Sequence, residues 1–311
     1  MKALVLAGGL SHERDVSLRS GRRVADALRT AGVDVEVRDA DAGLLDHLAG
    51  SSYDAVLVAL HGGAGEDGAL REVLDLAGVR YVGSGPAACR ASWDKPTAKA
   101  AFARAGLTTP ESVTLPHASF RELGAGAVLS LLEARLGLPL MVKPARGGSA
   151  LGCTVVDKSA DLPAAMVSCF SYGEAALVER FVVGTEVAVS VLDTGSGPVA
   201  LPAVEIRPLS GVYDYAARYT AGATEFTTPA GLSDAAAAEV ARVAVAAHSA
   251  LGLRDLSRAD LIVAEDGTVQ LLEVNVAPGM TETSLLPMAV EAADLSFGDV
   301  LRDLLSIAAT R

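Results

Sequence analysis

The sequence predicts an α/β domain with a parallel sheet, followed by an α+β region. Three observations lead there. Short apolar runs alternate with amphipathic helical stretches over the first ninety residues, the pattern of a parallel sheet covered on both faces. From about residue 90 the order changes, and strands begin to follow one another directly. The chain has 311 residues, half of them hydrophobic, enough for two or three cores.

Taken in order, strands are expected over 4–7, 33–38, 55–60 and 81–82, with helices over 15–32, 44–49 and 68–77 between them. Ligands of such sheets sit at the carboxyl ends of the strands. The loops there, Gly8 to Glu13 and His61 to Gly68, are glycine-rich and carry ionisable groups, so this domain should face a ligand. Beyond it, helices are expected over 97–105, 119–136, 161–170, 235–251 and 297–307. Strands are expected over 113–115, 140–143, 152–156, 176–181, 186–192, 203–206, 260–263 and 269–274.

Composition excludes several classes. A net charge of −12 argues against a chain that grips nucleic acid by bulk electrostatics. Aromatics are only 4%, so Ala, Val and Leu must build the core. Cys89, Cys153 and Cys169 share no metal-ligand spacing and form no disulfide framework, which suits buried thiols in a reducing compartment. The first apolar run is too short for a signal-peptide core, and no run approaches the ~20 apolar residues of a membrane helix. A cytoplasmic location, with no membrane partner, is the expectation.

Four segments carry chemistry. Asp260 lies on one apolar strand, and Glu273 and Asn275, two residues apart, share a face of the next. Two carboxylates and an amide oxygen are hard ligands suited to Mg²⁺; a solvent-facing polar edge is the alternative. Lys143 ends a strand and enters a small-residue loop, Pro144 to Gly152, whose backbone N–H groups can approach phosphate. It lacks the P-loop spacing, and a plain hairpin turn is the alternative. The chain has five lysines against 21 arginines, yet keeps Lys95 and Lys143 beside candidate phosphate loops. An ammonium acts on phosphate as a compact point charge. The segment Val178 to Glu186 is a strand, a linker and a strand; such a linker can bond an adenine edge, or be an ordinary connection. Finally, three of the six tyrosines, Tyr213, Tyr215 and Tyr219, fall within seven residues lacking periodicity: a lid, or a loop pinned by buried rings.

Together these segments resemble the ATP-grasp superfamily and, within it, the D-alanine–D-alanine ligases. The resemblance runs in order through Gly8-Gly9, Ser11-His12-Glu13, Val16-Ser17-Leu18, His61-Gly62, Gly65-Glu66-Asp67-Gly68, Asp94-Lys95, Lys143-Pro144, Gly148-Ser149, Tyr213-Asp214-Tyr215, Tyr219, Arg258, Asp260, Glu273-Val274-Asn275, Pro278-Gly279-Met280-Thr281 and Ser284-Leu285. It implies an N-terminal α/β substrate domain over 1–90, a central ATP-grasp domain over 91–182 and a C-terminal domain over 183–311, with ATP sandwiched between the last two. It implies that ATP phosphorylates the carboxylate of one D-alanine and that a second D-alanine's amine displaces the phosphate, for peptidoglycan precursor synthesis. Such chemistry needs charge neutralisation, an activated amine and an oxyanion site.

By matching position, the resemblance gives Lys95, Lys143 and the loop to Ser149 to the ATP phosphates, Glu179 and Val182 to adenine, and Glu186 to ribose. Asp260, Glu273 and Asn275 would hold two Mg²⁺ ions, with Mn²⁺ as a substitute. Glu13 would anchor the first ammonium, with His61 nearby. Arg258 and the Gly279 N–H would face the oxyanion, and Ser284 and Leu285 the second carboxylate. Glu13, Ser149 and Tyr219 would form a triad, and Arg218 would bind substrate from the lid. Keeping Tyr219 favours an amine nucleophile over a hydroxy acid. A homodimer is implied as well.

The sequence departs from the family pattern in four places. Arg218 replaces a lysine, Gly147 replaces a glutamate, the helix after His61 reads Ala69-Leu70-Arg71-Glu72-Val73-Leu74 where an uncharged Gln before a small residue is expected, and Glu282 lies near the second substrate. The alternative they raise is an ATP-grasp ligase for a different amino acid pair.

Overall fold

A computed structural model describes residues 1–209, 211–220 and 222–311, without the side chains of Ala216 and Tyr219. The first sheet is parallel, in the order β2 (Asp34–Arg38), β1 (Lys2–Leu6), β3 (Ala55–Val58), β4 (Tyr81–Val82). β1 is apolar without alternation because both faces are covered. Ala3 and Val5 join a core with Val24 and Leu28 of α1 (Arg14–Thr30). Leu4 and Leu6 face the other way, toward Leu44 of α2 (Leu44–Ala49) and Leu74 of α3 (Ala69–Leu76). Every expected element of this domain is present, with ends displaced by up to two residues.

Two helices, α4 (Pro86–Trp93) and α5 (Lys95–Arg104), lead into an antiparallel sheet ordered β5 (Ser112–Pro116), β8 (Ala175–Arg180), β6 (Leu140–Pro144), β7 (Thr154–Val156). Its core is closed by α7 (Ala125–Leu136) and α8 (Leu162–Phe170). The single helix expected over 119–136 is two: α6 (His117–Leu123) stops at Gly124, whose φ of 89° ends the helical path before α7. Apolar periodicity does not register a one-residue break of this kind.

The third sheet runs β12 (Thr224–Thr227), β11 (Val204–Pro208), β9 (Gly184–Leu192), β13 (Leu256–Ala264), β14 (Val269–Asn275), with β10 (Val199–Ala200) paired to β9. Val187, Val189 and Val191 of β9 pack with Val243 and Ala247 of α10 (Asp234–Ala250). Ala188 and Leu192 face the opposite core. That core also holds Leu285 and Ala289 of α11 (Leu285–Ala292), Leu301 and Leu304 of α12 (Phe297–Ala308), and the first sheet. The last helices of the chain thus pack on its first domain. The lid stretch, expected to be without regular structure, contains a short helix, α9 (Tyr215–Tyr219). α4, α11, β10 and β12 are not expected from the sequence.

Candidate active site

The phosphate loop and the start of α5 are stitched together. Asp94 caps α5 by accepting from the Thr97 N–H, and its other oxygen takes the Arg146 guanidinium at 2.8 Å. The Lys95 N–H donates to Ala145 O at 2.9 Å, and its ammonium to Gly147 O at 2.7 Å. Lys95 and the loop after β6 therefore form one unit although some fifty residues separate them. Gly147, Ser149, Ala150 and Gly152 all have positive φ, which coils the loop tightly. Lys143 closes the floor.

Lys143 and Lys99 both bind the Glu179 carboxylate, at 2.5 and 2.8 Å, and all three are buried. Burial works to raise the Glu179 pKa, but the two ammonium groups overcome it and hold the carboxyl below its ordinary value. Burial likewise opposes the Lys143 charge, and Glu179 with Glu273 outweighs it. Lys99 is a residue the sequence reading missed. The one available signal was its place among five lysines, four residues after Lys95 and so on the same helical face.

Asp260 and Glu273 stand directly opposite each other on β13 and β14, as do Arg258 and Asn275. Arg258 turns onto Asp260, donating from Nε and Nη2 to the two carboxylate oxygens at 2.7 and 2.8 Å. Lys95 lies 3.4 Å from Glu273. The Asn275 amide oxygen accepts from the Ala277 N–H. Burial would raise the Glu273 pKa, yet Lys95, Lys143, Arg218 and Arg258 bring it down to about 2. An ionised carboxylate, a second carboxylate opposite it and an adjacent amide oxygen fit a divalent cation with hard-ligand preference. Among the described residues no group of three His, Cys, Asp or Glu is placed to hold a metal ion, so the third protein donor would have to be Asn275.

These groups wall a cavity of about 260 Å³ lined by Lys95, Lys143, Glu179, Val182, Glu186, Asp260 and Glu273, with the linker from Phe181 to Val183 along its edge. Glu186, on central strand β9, is half-buried. Its pKa is pushed up to about 7, mainly by burial; Arg218 opposes the shift, and Asp260 and Glu273 add to it.

A second cavity, of about 100 Å³, adjoins the first and shares Lys95, Gly147, Gly148, Tyr213, Arg218 and Glu273 with it. Its other walls include His61, Glu66, Ser149, Arg258, Gly279, Ser284 and Leu285. Glu13 is buried beneath it, against Gly62 and Gly148. A Cβ on Gly62 would stand 2.2 Å from a Glu13 carboxylate oxygen, so a side chain there would displace that carboxylate, and the φ of 66° disfavours one besides. The Gly279 N–H makes no hydrogen bond among the described residues and borders this cavity.

His61 is neutral. Its Nδ1 lies 3.1 Å from Ala277 O, which can only accept, so Nδ1 carries the proton; Nε2 then accepts from Ser20 Oγ at 2.8 Å. Burial lowers its pKa to about 4, with Ala277 opposing and Arg258 assisting. His61 thus joins α1 to the 277–280 loop. Glu66, within the Gly65-Glu66-Asp67-Gly68 motif, is the second group whose role does not follow from sequence. It accepts from the Gly62 N–H at 2.8 Å, and burial raises its pKa to about 7.

On the lid, the Arg218 guanidinium stacks 4.3 Å from the Tyr213 ring centre and Nε reaches Tyr213 O. Tyr213 in turn meets Phe226 edge-on. The Tyr219 side chain lies outside the described residues. The two cavities therefore collect the other candidate site residues: Lys95, Lys143, Ser149, Glu179, Val182, Glu186, Arg218, Arg258, Asp260, Glu273, Asn275, Gly279, His61, Ser284 and Leu285 line one or both, with Glu13 packed behind.

A nucleotide-sized cavity between two antiparallel sheets, opening onto a small polar cavity under a parallel-sheet domain, is the arrangement of an ATP-grasp enzyme. A sequence profile described as the D-ala D-ala ligase C-terminus matches residues 101–306. A D-alanine–D-alanine ligase from Bordetella petrii is 42% identical over 310 residues, covering 100% of this chain and 93% of the relative. Among solved structures, the VanG D-Ala:D-Ser ligase from Enterococcus faecalis superposes with a TM-score of 0.84 at 28% identity, covering 99% of each chain. The ATP complex of a D-alanine–D-alanine ligase from Bacillus anthracis gives 0.80 at 26% identity, covering 100% of this chain and 97% of the other. The chain belongs to the D-alanine–D-alanine ligase family and is an ATP-using ligase.

Proposed function

We propose that this enzyme joins two D-alanines into D-alanyl-D-alanine through a D-alanyl phosphate, releasing ADP and phosphate, as a step of peptidoglycan precursor synthesis. One observation carries the reading: the nucleotide cavity and the small polar cavity share a wall of Lys95, Gly147, Gly148, Arg218 and Glu273. A phosphoryl group leaving one side meets a carboxylate held on the other.

In this reading Glu13 holds the donor ammonium, and a donor carboxylate oxygen attacks the γ-phosphorus as ADP leaves. Lys95, Lys143 and the loop N–H groups spread the phosphoryl charge; Glu186 takes the ribose, and the linker at Val182, beside Glu179, takes the adenine. The acceptor amine, having lost its proton, then attacks the acyl carbon. Arg258 and the Gly279 N–H stabilise the oxyanion, and phosphate departs. The Ser284 hydroxyl and the backbone at Leu285 receive the acceptor carboxylate. Ser149 and Tyr219 join Glu13 in positioning the lid over the donor. Asp260, Glu273 and Asn275 would hold Mg²⁺, or Mn²⁺, which supplies charge neutralisation on the phosphates. Division at about 90 and 182, a cytoplasmic location and a homodimer complete the proposal; no helix among the described residues is long and apolar enough to cross a membrane.

The test is phosphate release with ATP, Mg²⁺ and D-alanine, with the product weighed by mass spectrometry. D-alanyl-D-alanine is the expected product. Phosphate release only when a different acceptor, D-serine first, is added would move the reading to another amino acid pair. That alternative is favoured by Arg218, Gly147 and Glu282 and by the likeness to a D-Ala:D-Ser ligase.

A further inference from the structure

One face of α1 grips the loop that borders the small cavity. Ser20 and Arg23 are three residues apart and so project from the same side of the helix. Ser20 Oγ accepts from the Met280 N–H at 3.3 Å while donating to His61. Arg23 Nη1 donates to the next residue's carbonyl, Thr281 O, and its guanidinium lies 5.4 Å from the Phe297 ring centre at the start of α12.

Thr281 is the hinge between that grip and the cavity. It is buried; its N–H donates to Ser284 Oγ at 2.9 Å, and its hydroxyl shares a hydrogen bond with the same oxygen at 2.8 Å. Ser284 Oγ in turn sits 2.7 Å from where a Cβ on Gly279 would be. A shift of Thr281 O therefore moves the Ser284 hydroxyl and the Gly279 N–H relative to each other, and both line the cavity.

We propose that Arg23 is a positioning residue for the acceptor amino acid: by holding Thr281 O against α1 and α12, it sets the spacing between the Ser284 hydroxyl and the Gly279 N–H. This rests on the reading that loop 277–285 receives the acceptor. Arg23 itself lines neither cavity; its effect passes through Thr281, which lines the small one.

The experiment is steady-state kinetics of Arg23→Ala, Arg23→Lys and Ser284→Ala in the full chain, resolving KM for ATP, donor and acceptor, with thermal melting of each variant. Loss of a charged hydrogen bond that sets a binding geometry should raise the acceptor KM about 10-fold in Arg23→Ala. kcat should fall as well, because the Gly279 N–H is an oxyanion donor, whereas the ATP KM and the donor KM should move far less. Arg23→Lys, which keeps a donor on a flexible stem, should recover part of the loss. An unchanged acceptor KM in Arg23→Ala, beside a raised one in Ser284→Ala, overturns the role of Arg23 alone. An unchanged acceptor KM in both overturns the acceptor-loop reading and this inference with it. If Arg23→Ala shifts all constants and the melting temperature together, or Arg23→Lys recovers nothing, Arg23 is a packing residue only.

Discussion

Glu273 and Glu186 are the same residue type, both half-buried, on the wall of one cavity, and they titrate at opposite ends. Glu273 lies among Lys95, Lys143, Arg218 and Arg258 and is held at about 2; Glu186 has less cationic company, and burial lifts it to about 7. The consequences for stability are opposite in sign. Glu186 binds its proton more tightly when folded, so its contribution is fully present below pH 4.5 and is lost as the pH rises toward 7. Glu273 contributes above pH 4.5, and its contribution is lost as the pH falls toward 2. Ligand-free Glu186→Gln should therefore lose less stability than the wild type between pH 5 and pH 7.5, the difference being on the order of 2 kcal/mol. Urea melts at the two pH values check this; equal pH slopes would refute it. Arg258 carries the other residue-scale prediction. Replacing it with Ala removes an oxyanion donor and leaves Asp260 without its bidentate partner, so kcat/KM should fall by about 10²–10³. Phosphate release with saturating ATP measures it, and near-normal turnover would remove Arg258 from the chemistry.

At the scale of elements, the phosphate loop is positioned by a helix terminus. Asp94 does two jobs at once: it caps α5 through Thr97 and anchors Arg146 of the loop. Asp94→Ala should cost about 0.5–2 kcal/mol of stability, as helix caps do. It should also raise the KM for ATP, because Lys95 and the loop lose their common anchor. Asp94→Asn, which keeps a capping oxygen but loses the charge, should retain most of the stability and still weaken ATP binding. A stability loss without any change in the ATP KM would mean that the loop is held by the Lys95 bonds to Ala145 and Gly147 alone.

At the scale of the molecule, the first and last parts of the chain share a core. Leu301, Leu304 and Leu305 of α12 are buried with Val24 and Leu28 of α1 and with β1 and β3. The domain that contributes Glu13 and His61 is thereby fastened to the segment that follows the Gly279 loop. Leu304→Ala should destabilise the protein by about 2–5 kcal/mol through the cavity it leaves, measured by denaturant midpoint. A change under about 0.5 kcal/mol, the scale of a surface substitution, would show that α12 contributes little to this core.

Much of this was legible in the sequence, for reasons that differ from one feature to another. Strands and helices follow from short-range apolar periodicity, so the first domain could be laid out element by element. Asp260 opposite Glu273 was also within reach, because the two strands form a hairpin and alternation within strands assigns the faces. What periodicity could not see was local and conformational at Gly124, where one positive φ divides a helix, and at α9 inside the lid. Contacts across long chain separations were beyond it for another reason. Lys99 and Lys143 meeting on Glu179, His61 reaching Ala277, and Arg23 reaching Thr281 join residues up to 258 positions apart. By itself the sequence determined the elements, the residue types available for phosphate, carboxylate and cation chemistry, and the family. Only the tertiary structure decided which charges neutralise each other, because burial and the neighbours that packing supplies set whether a carboxyl such as Glu273 stays ionised or one such as Glu186 holds its proton.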